Sequence, residues 1–163
     1  MSTTTRICHS GGPPLWDADD NPQPTSDQLI VLVESGDAVR RHGHRVDSRY
    51  VEVFWLPVLG PSATWLIRRI ALEAKLAGRQ ILELSHQAMS ESIGLQGRPD
   101  QASRSWFRTL NRLQRFGVIG ELDAGIIRFP THLPDLSGPQ LQRLPADLQR
   151  RHRIELGGRE VQR

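Results

Sequence analysis

The stretch SWFRTLNRLQRFGVIGELDAGIIRF, from Ser105 to Phe129, decides the fold of this chain. It begins with apolar residues and arginines at helical spacing, passes Gly117, and continues as two short apolar runs on either side of the letters DAG. An α-helix turns by about 100° per residue. One face of the predicted helix therefore collects the apolar side chains Trp106, Phe107, Leu110 and Leu113.

The opposite face of this helix is cationic. Four arginines fall within roughly 80° of each other on it: Arg104, Arg108, Arg112 and Arg115. Guanidinium groups are planar and always charged, which suits them to phosphates and to the edges of guanine bases. An arginine face is also common on a plain solvated helix. The neighbouring elements must decide between these two interpretations.

The residues before this stretch predict a helix, a strand and a shorter helix. The first helix runs from Ser62, as its N-cap, to about Ala77 and stops at Gly78. Its inward face repeats at intervals of three and four residues: Ala63, Leu66, Ile67, Ile70, Ala71 and Ala74. The run Arg79–Leu84 is strand-like. Ser85 then caps a short second helix that ends at Gly94.

The third helix is predicted to begin at Asp100 or Gln101 and to end at Gly117. Two strands follow it, near residues 118–122 and 125–129, joined by a tight turn at Asp123–Ala124. The inward candidates of this hairpin are Val118, Ile126 and Phe129.

This order of helix, strand, helix, turn, helix and hairpin resembles the winged helix-turn-helix family of DNA-binding domains. The resemblance is carried by LSHQAMSESIGL as the positioning helix and by SRSWFRTLNRLQRFGVIG as the recognition helix entering the wing, and it covers roughly residues 61–129. It implies a mainly α fold with a small β-hairpin, a winged helix-turn-helix with extra N- and C-terminal elements. It also implies double-stranded DNA as the partner and a homodimer, since many relatives place two recognition helices in successive major-groove faces.

The resemblance assigns roles to individual side chains. The N-terminal half of a recognition helix does most of the base reading, which gives as base-contacting candidates Arg98, Gln101, Ser103, Arg104, Ser105 and Arg108. Asn111 adjoins the arginine face and is placed to pair with adenine. Arg112 and Arg115 are assigned to phosphates, and Arg128 is the positive side chain of an otherwise acidic wing.

The remaining chain divides around this domain. Residues 1–26 are predicted to be a disordered acidic tail, because few apolar residues accompany its prolines and aspartates. Residues 27–60 form an extension that packs on the core. Within it, QLIVLVES is compatible with a helix or a strand, and YVEVFWLPVLG with a buried extended or mixed segment. Residues 61–130 are the winged domain.

Residues 131–163 are predicted to be two helical pieces divided at Pro145, followed by a basic tail. Their spacing predicts a partly buried side made of Leu141, Leu144, Leu148 and Ile154.

Charge and composition favour a polyanionic partner. Nine basic and four acidic side chains lie within residues 61–117, whereas residues 1–28 carry one arginine and four aspartates. A single cysteine excludes a disulfide framework and favours a reducing cytoplasm, where a DNA-binding protein would associate with the nucleoid. No apolar run has the length of a signal peptide or a membrane span.

Enzyme, metal and cofactor motifs are missing from the sequence. HGH at residues 42–44 lacks further ligands at a zinc spacing and is interpreted as an exposed loop. No phosphate-binding loop or nucleophile elbow is present, so we expect no catalysis, no metal and no cofactor.

The sequence therefore predicts a sequence-specific double-stranded DNA-binding protein that regulates transcription by placing helix 100–116 in the major groove. A replication or plasmid initiator is the related alternative, since initiators use the same domain. The alternative from another class is a protein–protein interaction module of winged-helix fold, docking through residues 50–59 and the C-terminal helices.

Overall fold

The computed structural model describes residues 28–95, 99–122 and 126–160, without the side chains of residues 99–103, 121–122 and 158–160. The described chain is mixed α/β, mostly helical with a small sheet. The predicted acidic tail and the Asp123–Ala124 turn lie outside the described residues.

The strands and helices follow one another along the whole described chain. The strands are β1 (Gln28–Val33), β2 (His44–Arg45), β3 (Ile81–Ser85), β4 (Gly120–Leu122), β5 (Ile126–Phe129) and β6 (His132–Leu133). The helices are α1 (Asp37–His42), α2 (Leu56–Leu59), α3 (Pro61–Ala77), α4 (His86–Ser92), α5 (Pro99–Arg115), α6 (Gly138–Leu141) and α7 (Ala146–Glu160), with a π-helical segment, Val51–Trp55, leading into α2.

Strand β1 organises the larger sheet, whose order is β3-β1-β5-β4. It pairs antiparallel with β3, in a register that joins Gln28 to Ser85, and parallel with β5, in a register that joins Val31 to Ile127. Its β-branched residues Val31 and Val33 alternate into the core. The segment that was open to helix or strand is thus a strand, and it separates β3 from the hairpin strands.

Helix α3 starts one residue before the predicted N-cap. Pro61 is its first residue and Gly60 its N-cap, so the prediction of Ser62 as the cap was wrong. Proline is favoured at the first helical position, where its missing N–H costs nothing. The C-terminus was predicted correctly: Gly78 adopts a left-handed conformation with φ 63°.

Residues 51–59 are helical, so the extended form predicted for this segment was wrong. A π-helical hydrogen bond runs from the N–H of Leu56 to the carbonyl of Val51, and Pro57 occupies the first turn of α2. Proline has no N–H to donate to the preceding turn, and its position coincides with the change from π-helical to α-helical hydrogen bonding. The buried side chains are Val51, Phe54, Trp55, Val58 and Leu59.

Helix α5 and the hairpin agree closely with the sequence. Trp106, Leu110 and Leu113 are buried as predicted, and Gly117, at φ 67°, ends the helical path. In β5 the buried residues are Ile127 and Phe129, whereas Ile126 is only partly buried. The prediction of Ile126 was therefore wrong by one position. Side chains on one face of a strand are two residues apart, so Ile127 shares the buried face of Phe129.

The C-terminal helices are divided at Pro145 as predicted, and Leu144 is buried. Ile154 is exposed, which contradicts its predicted place on the buried side. The inward residue of α7 is instead His152, whose exposed fraction is 2%.

His152 belongs to a buried polar network that joins distant parts of the chain. Its Nε2 lies 2.6 Å from the hydroxyl of Tyr50, which also accepts the backbone N–H of Leu136 at 3.0 Å. The Tyr50 ring stacks on His44, with centroids 3.4 Å apart, and Nε2 of His44 lies 2.7 Å from Oδ1 of Asp135. His44 is therefore buried, which corrects the interpretation of HGH as an exposed loop.

The network makes folding stability depend on pH. Burial lowers the pKa of His152 below its ordinary value of 6.5, against weaker raising effects of Asp135 and Glu155. The unfolded chain then binds a proton more readily than the folded one, so we expect the free energy of unfolding to fall as the pH drops below 6.5. The slope from this one proton is at most about 1.4 kcal/mol per pH unit.

Urea denaturation between pH 7.5 and 5 measures this slope, and His152→Leu is expected to flatten it. A contribution of the same sign remains from His132, whose pKa is also lowered, chiefly by burial. Equal slopes for the two proteins would contradict the assignment to His152.

No described helix is long and apolar enough to cross a membrane.

Candidate nucleic-acid interface

Helix α4 and the start of α5 are held by local contacts that the sequence encodes. The Ser85 side chain caps α4 by accepting the N–H of Ala88 at 3.1 Å, as predicted. Met89 packs inward, and Gly94, at φ 77°, turns the chain after the helix. The buried ring of Trp106 lies 6.3 Å from that of His86, which brings α5 against the start of α4.

The structure places most of the predicted DNA-contacting residues on α5. Arg98 lies outside the described residues, and Gln101 and Ser103 lie on α5 with side chains that are not described. The four arginines of the predicted cationic face are all exposed: Arg104, Arg108, Arg112 and Arg115. Ser105 and Asn111 are partly buried, and Arg128 is exposed on β5.

The C-terminal half of this face lines a cleft of about 880 Å³ against the start of α3. We call it the arginine cleft, and its cationic residues are Arg108, Arg112, Arg115 and Arg143. Asn111, Gln114 and Thr109 add polar groups, and residues 59–63 form the opposite wall. No carboxylate is among the residues that line it. A cleft with one sign of charge concentrates the field and attracts ions of the other sign.

Two of these arginines have a fixed position. Arg112 donates from Nη2 to the carbonyl of Val58 at 2.8 Å, and its guanidinium carbon lies 5.8 Å from the centroid of Phe116. Arg143 approaches the same ring at 5.2 Å. Cation–π contacts of this kind hold a guanidinium group without neutralising its charge. Arg112 therefore also binds α2, just before the start of α3, to α5.

The N-terminus of α3 adds neutral donors to the cleft. Ser62 and Ala63 belong to the first turn of this helix, where backbone N–H groups have no helical partner. No side chain caps this end. Aligned peptide dipoles give a helix N-terminus a partial positive charge, so it reinforces the arginines in attracting an anion.

Arg128 lies apart from the arginine cleft. Its Nε is 3.1 Å from a carboxylate oxygen of Glu34, at the end of β1. This ion pair reduces the positive charge that the wing was expected to supply. Sequence reasoning did not foresee it, because Glu34 and Arg128 become neighbours only when β1 pairs with β5.

Arg143 is the cleft residue that sequence reasoning missed. It lies just after α6, and the pairing of its guanidinium with Phe116 is a tertiary contact without a local signal. The basic segment noted in the sequence, residues 150–163, does not include Arg143.

Three apolar residues of the segment 50–59 that the protein-interaction alternative would use are not on the surface, whereas Ile154, in the C-terminal helices of that alternative, is 76% exposed. Phe54, Trp55 and Leu59 are buried in the core of the protein. Trp55 also donates its indole N–H to the carbonyl of Pro134 at 3.0 Å. This segment therefore stabilises the fold and leaves no apolar face for a docking partner.

Among the described residues, no group of three or more histidine, cysteine or acidic side chains is arranged to hold a metal ion. Comparisons with protein-family models, curated proteins and solved structures found no match to this chain.

Proposed function

We propose that this protein binds double-stranded DNA through the exposed face of α5 and acts as a sequence-specific regulator of transcription, associated with the nucleoid in the cytoplasm. The observation that carries the proposal is the arginine cleft. It presents four guanidinium groups and an uncapped helix N-terminus, and none of its lining residues is acidic. Phosphate contacts from arginines and helix N-termini supply most of the affinity of DNA-binding proteins.

The element order supports a winged helix-turn-helix arrangement for this binding. Helix α3, strand β3, helices α4 and α5 and the antiparallel strands β4 and β5 follow one another as in that family. The departure is β1, which lies between β3 and β5. In the proposal, α4 positions α5, and β1 ties the hairpin to the rest of the sheet.

The two halves of α5 take different roles in the proposed complex. The N-terminal half, with Arg104 exposed, enters the major groove and contacts bases, since the groove is wide enough to admit a helix. The C-terminal half holds backbone phosphates in the arginine cleft. A homodimer would place two such helices on successive half-sites.

Salt dependence tests this proposal. If the cleft and its surroundings neutralise four to six phosphates, the logarithm of the binding constant should fall against the logarithm of salt concentration with a slope of about −4 to −5. Fluorescence anisotropy of a labelled duplex, titrated at several salt concentrations, gives the slope. Absence of binding to any duplex at low salt would overturn the proposal.

Arg115→Ala and Arg143→Ala are each expected to make this slope less steep by about 1, because each removes one phosphate contact. Arg79→Ala is the matched control: it removes the same charge from an exposed position after α3, outside the arginine cleft, and should leave the slope unchanged. If all three substitutions act equally, the net charge of the protein and not the cleft determines binding.

A further inference from the structure

A second cleft lies along the outer side of α3, with a volume of about 660 Å³. We call it the outer cleft. Trp65 forms one wall with 57% of its surface exposed, Leu72 is 43% exposed, and Ile93 at the end of α4 faces them. Small-molecule sites in proteins have volumes of about 300–1,000 Å³ and mostly apolar linings with a few polar groups. The volume of the outer cleft lies in this range, and its apolar lining residues are Val46, Trp65, Ala71, Leu72 and Ile93.

The charged residues around this apolar floor are mostly cations. Arg45, Arg68, Arg69 and Lys75 line the outer cleft, with Asp47 as the one carboxylate among the lining residues. Asp47 is already bound to Arg45 by two hydrogen bonds of 2.9 and 2.7 Å. A ligand in the cleft would therefore meet an excess of positive charge.

Arg68 is the cation best placed to bind a ligand. Its guanidinium carbon lies 5.3 Å from the centroid of Trp65, and Nη2 donates to the backbone carbonyl of Asp47 at 3.2 Å. Its nearest carboxylate, that of Glu52, is 4.0 Å away. A guanidinium group has five N–H donors, and the 22% of the Arg68 side chain that is exposed lies on the lining of the cleft. Arg69, by contrast, is held by Glu73 at 2.7 Å.

Lys75 provides a second cation on the same side of the helix. It lies seven residues, or about 10 Å along the helix axis, beyond Arg68, with Leu72 between them. It is exposed. The two cations thus flank an apolar surface whose length suits a molecule of one or two rings.

The wall contributed by the β6 region is preformed. The Ser35 hydroxyl accepts the backbone N–H groups of Thr131 and His132 at 2.9 and 2.8 Å. The Thr131 hydroxyl also lies 3.0 Å from Nδ1 of His132. Because these residues are fixed by the fold, little ordering is required when a ligand binds.

The charge distribution selects the kind of occupant. Two copies of the chain docking through this surface would bring Arg68 and Lys75 of one copy against the same two cations of the other, which like-charge repulsion disfavours. Double-stranded DNA would leave Leu72 and Ile93 without an apolar partner. A small molecule with an apolar body and one acidic group satisfies both the floor and the cations.

We propose that the outer cleft binds one small amphipathic organic anion, with its aromatic or aliphatic body on Leu72 and Ile93 and its carboxylate, sulfonate or phosphate group at Arg68. The outer cleft shares no lining residue with the arginine cleft, so this site stands whether or not the protein binds DNA.

The fluorescent aromatic sulfonate 8-anilinonaphthalene-1-sulfonate tests the proposal on the full chain, with its uncharged analogue N-phenyl-1-naphthylamine as the control for charge. We expect saturable binding of one sulfonate probe per chain, with the thermal unfolding transition retained. The uncharged analogue cannot accept a charge-assisted hydrogen bond from Arg68, so it should bind at least about tenfold more weakly. Binding of several probes per chain, or equal affinity for the two probes, would overturn the proposal.

Substitutions locate the site. Arg68→Gln should weaken binding of the sulfonate about tenfold and leave the uncharged analogue unaffected, whereas Leu72→Ser should weaken both. Leu76→Ser is the matched control, since Leu76 is 73% exposed on α3 but does not line the cleft. Arg108→Gln, in the arginine cleft, should have no effect.

Loss of sulfonate binding in Arg108→Gln with retention in Arg68→Gln would place the anion in the other cleft and refute this site. Sedimentation velocity, with and without the probe, measures whether the chain is a monomer or a dimer. A dimer that binds the probe only after dissociation would identify a second copy of the chain as the occupant.

Discussion

Trp106→Ala is expected to lower the free energy of unfolding by about 3–5 kcal/mol, the range found for removal of a large aromatic side chain from a core. Trp106 is 2% exposed on the inner face of α5, beside Leu110 and Leu113. Removing its indole leaves a cavity that the surrounding side chains can fill only in part, because interiors are closely packed. Urea denaturation followed by circular dichroism measures the change.

Trp65→Ala provides the matched control for this prediction. The substitution is chemically identical, but Trp65 is 57% exposed on α3, so its loss should cost well under half as much. A similar loss of stability in both variants would mean that α5 does not pack through the face carrying Trp106. The orientation of its arginines, and with it the proposed DNA interface, would then be wrong.

Helix α5 and the hairpin could be predicted from the sequence because the features that define them are local. Apolar residues at helical spacing fix which side of α5 faces the core, and Gly117 supplies the left-handed turn that ends it. The same local information placed the cap at Ser85 and the stop at Gly78. Each of these features depends on residues within a few positions of each other.

The misinterpreted segments depend on distant partners or on a spacing that was not recognised. Strand β1 pairs Gln28 with Ser85, and no property of residues 28–35 alone predicts that partner. His44 is buried because Tyr50 stacks on it and Asp135 binds it. By contrast, the buried positions 51, 54, 55, 58 and 59 already had helical spacing, and Pro57 obscured it.

The candidate site likewise combines features that are predictable from local sequence with features that depend on distant residues. The exposed arginines of α5 were predicted from the helical wheel, whereas the cleft they line was not. It requires the start of α3 and the segment after α6 to meet the end of α5. Arg112 illustrates the difference, since its hydrogen bond to Val58 spans 54 positions in the chain. Sequence periodicity predicts the face of a helix, and tertiary packing determines what that face adjoins.

Tyr50→Phe is expected to lower the free energy of unfolding by about 2–4 kcal/mol, although it removes one oxygen atom. That oxygen accepts the N–H of Leu136 and lies within hydrogen-bonding distance of Nε2 of His152. The lowered pKa of His152 favours a neutral imidazole, and in the tautomer with its proton on Nδ1 the hydroxyl donates to Nε2. Loss of the hydroxyl leaves two buried polar groups without this partner, and each such loss costs about 1–3 kcal/mol.

Thr64→Val is the control, because it removes a buried hydroxyl that does not belong to the Tyr50–His152 network. The Thr64 hydroxyl donates to the carbonyl of Gly60, which also accepts the Thr64 backbone N–H, so this carbonyl keeps a donor in the variant. We therefore expect a loss below about 1.5 kcal/mol. Comparable losses in the two variants would show that the Tyr50 network contributes no more than an ordinary hydroxyl.

The double variant Tyr50→Phe/His152→Leu separates the two halves of the network. Once His152 is replaced by an apolar residue, loss of the Tyr50 hydroxyl leaves only the N–H of Leu136 to be satisfied. The double variant should therefore be more stable than the sum of the single changes predicts, by about 0.5–3 kcal/mol. Strict additivity would mean that Tyr50 and His152 do not stabilise each other. The packing of α7 on the π-helical segment would then depend on its apolar contacts alone.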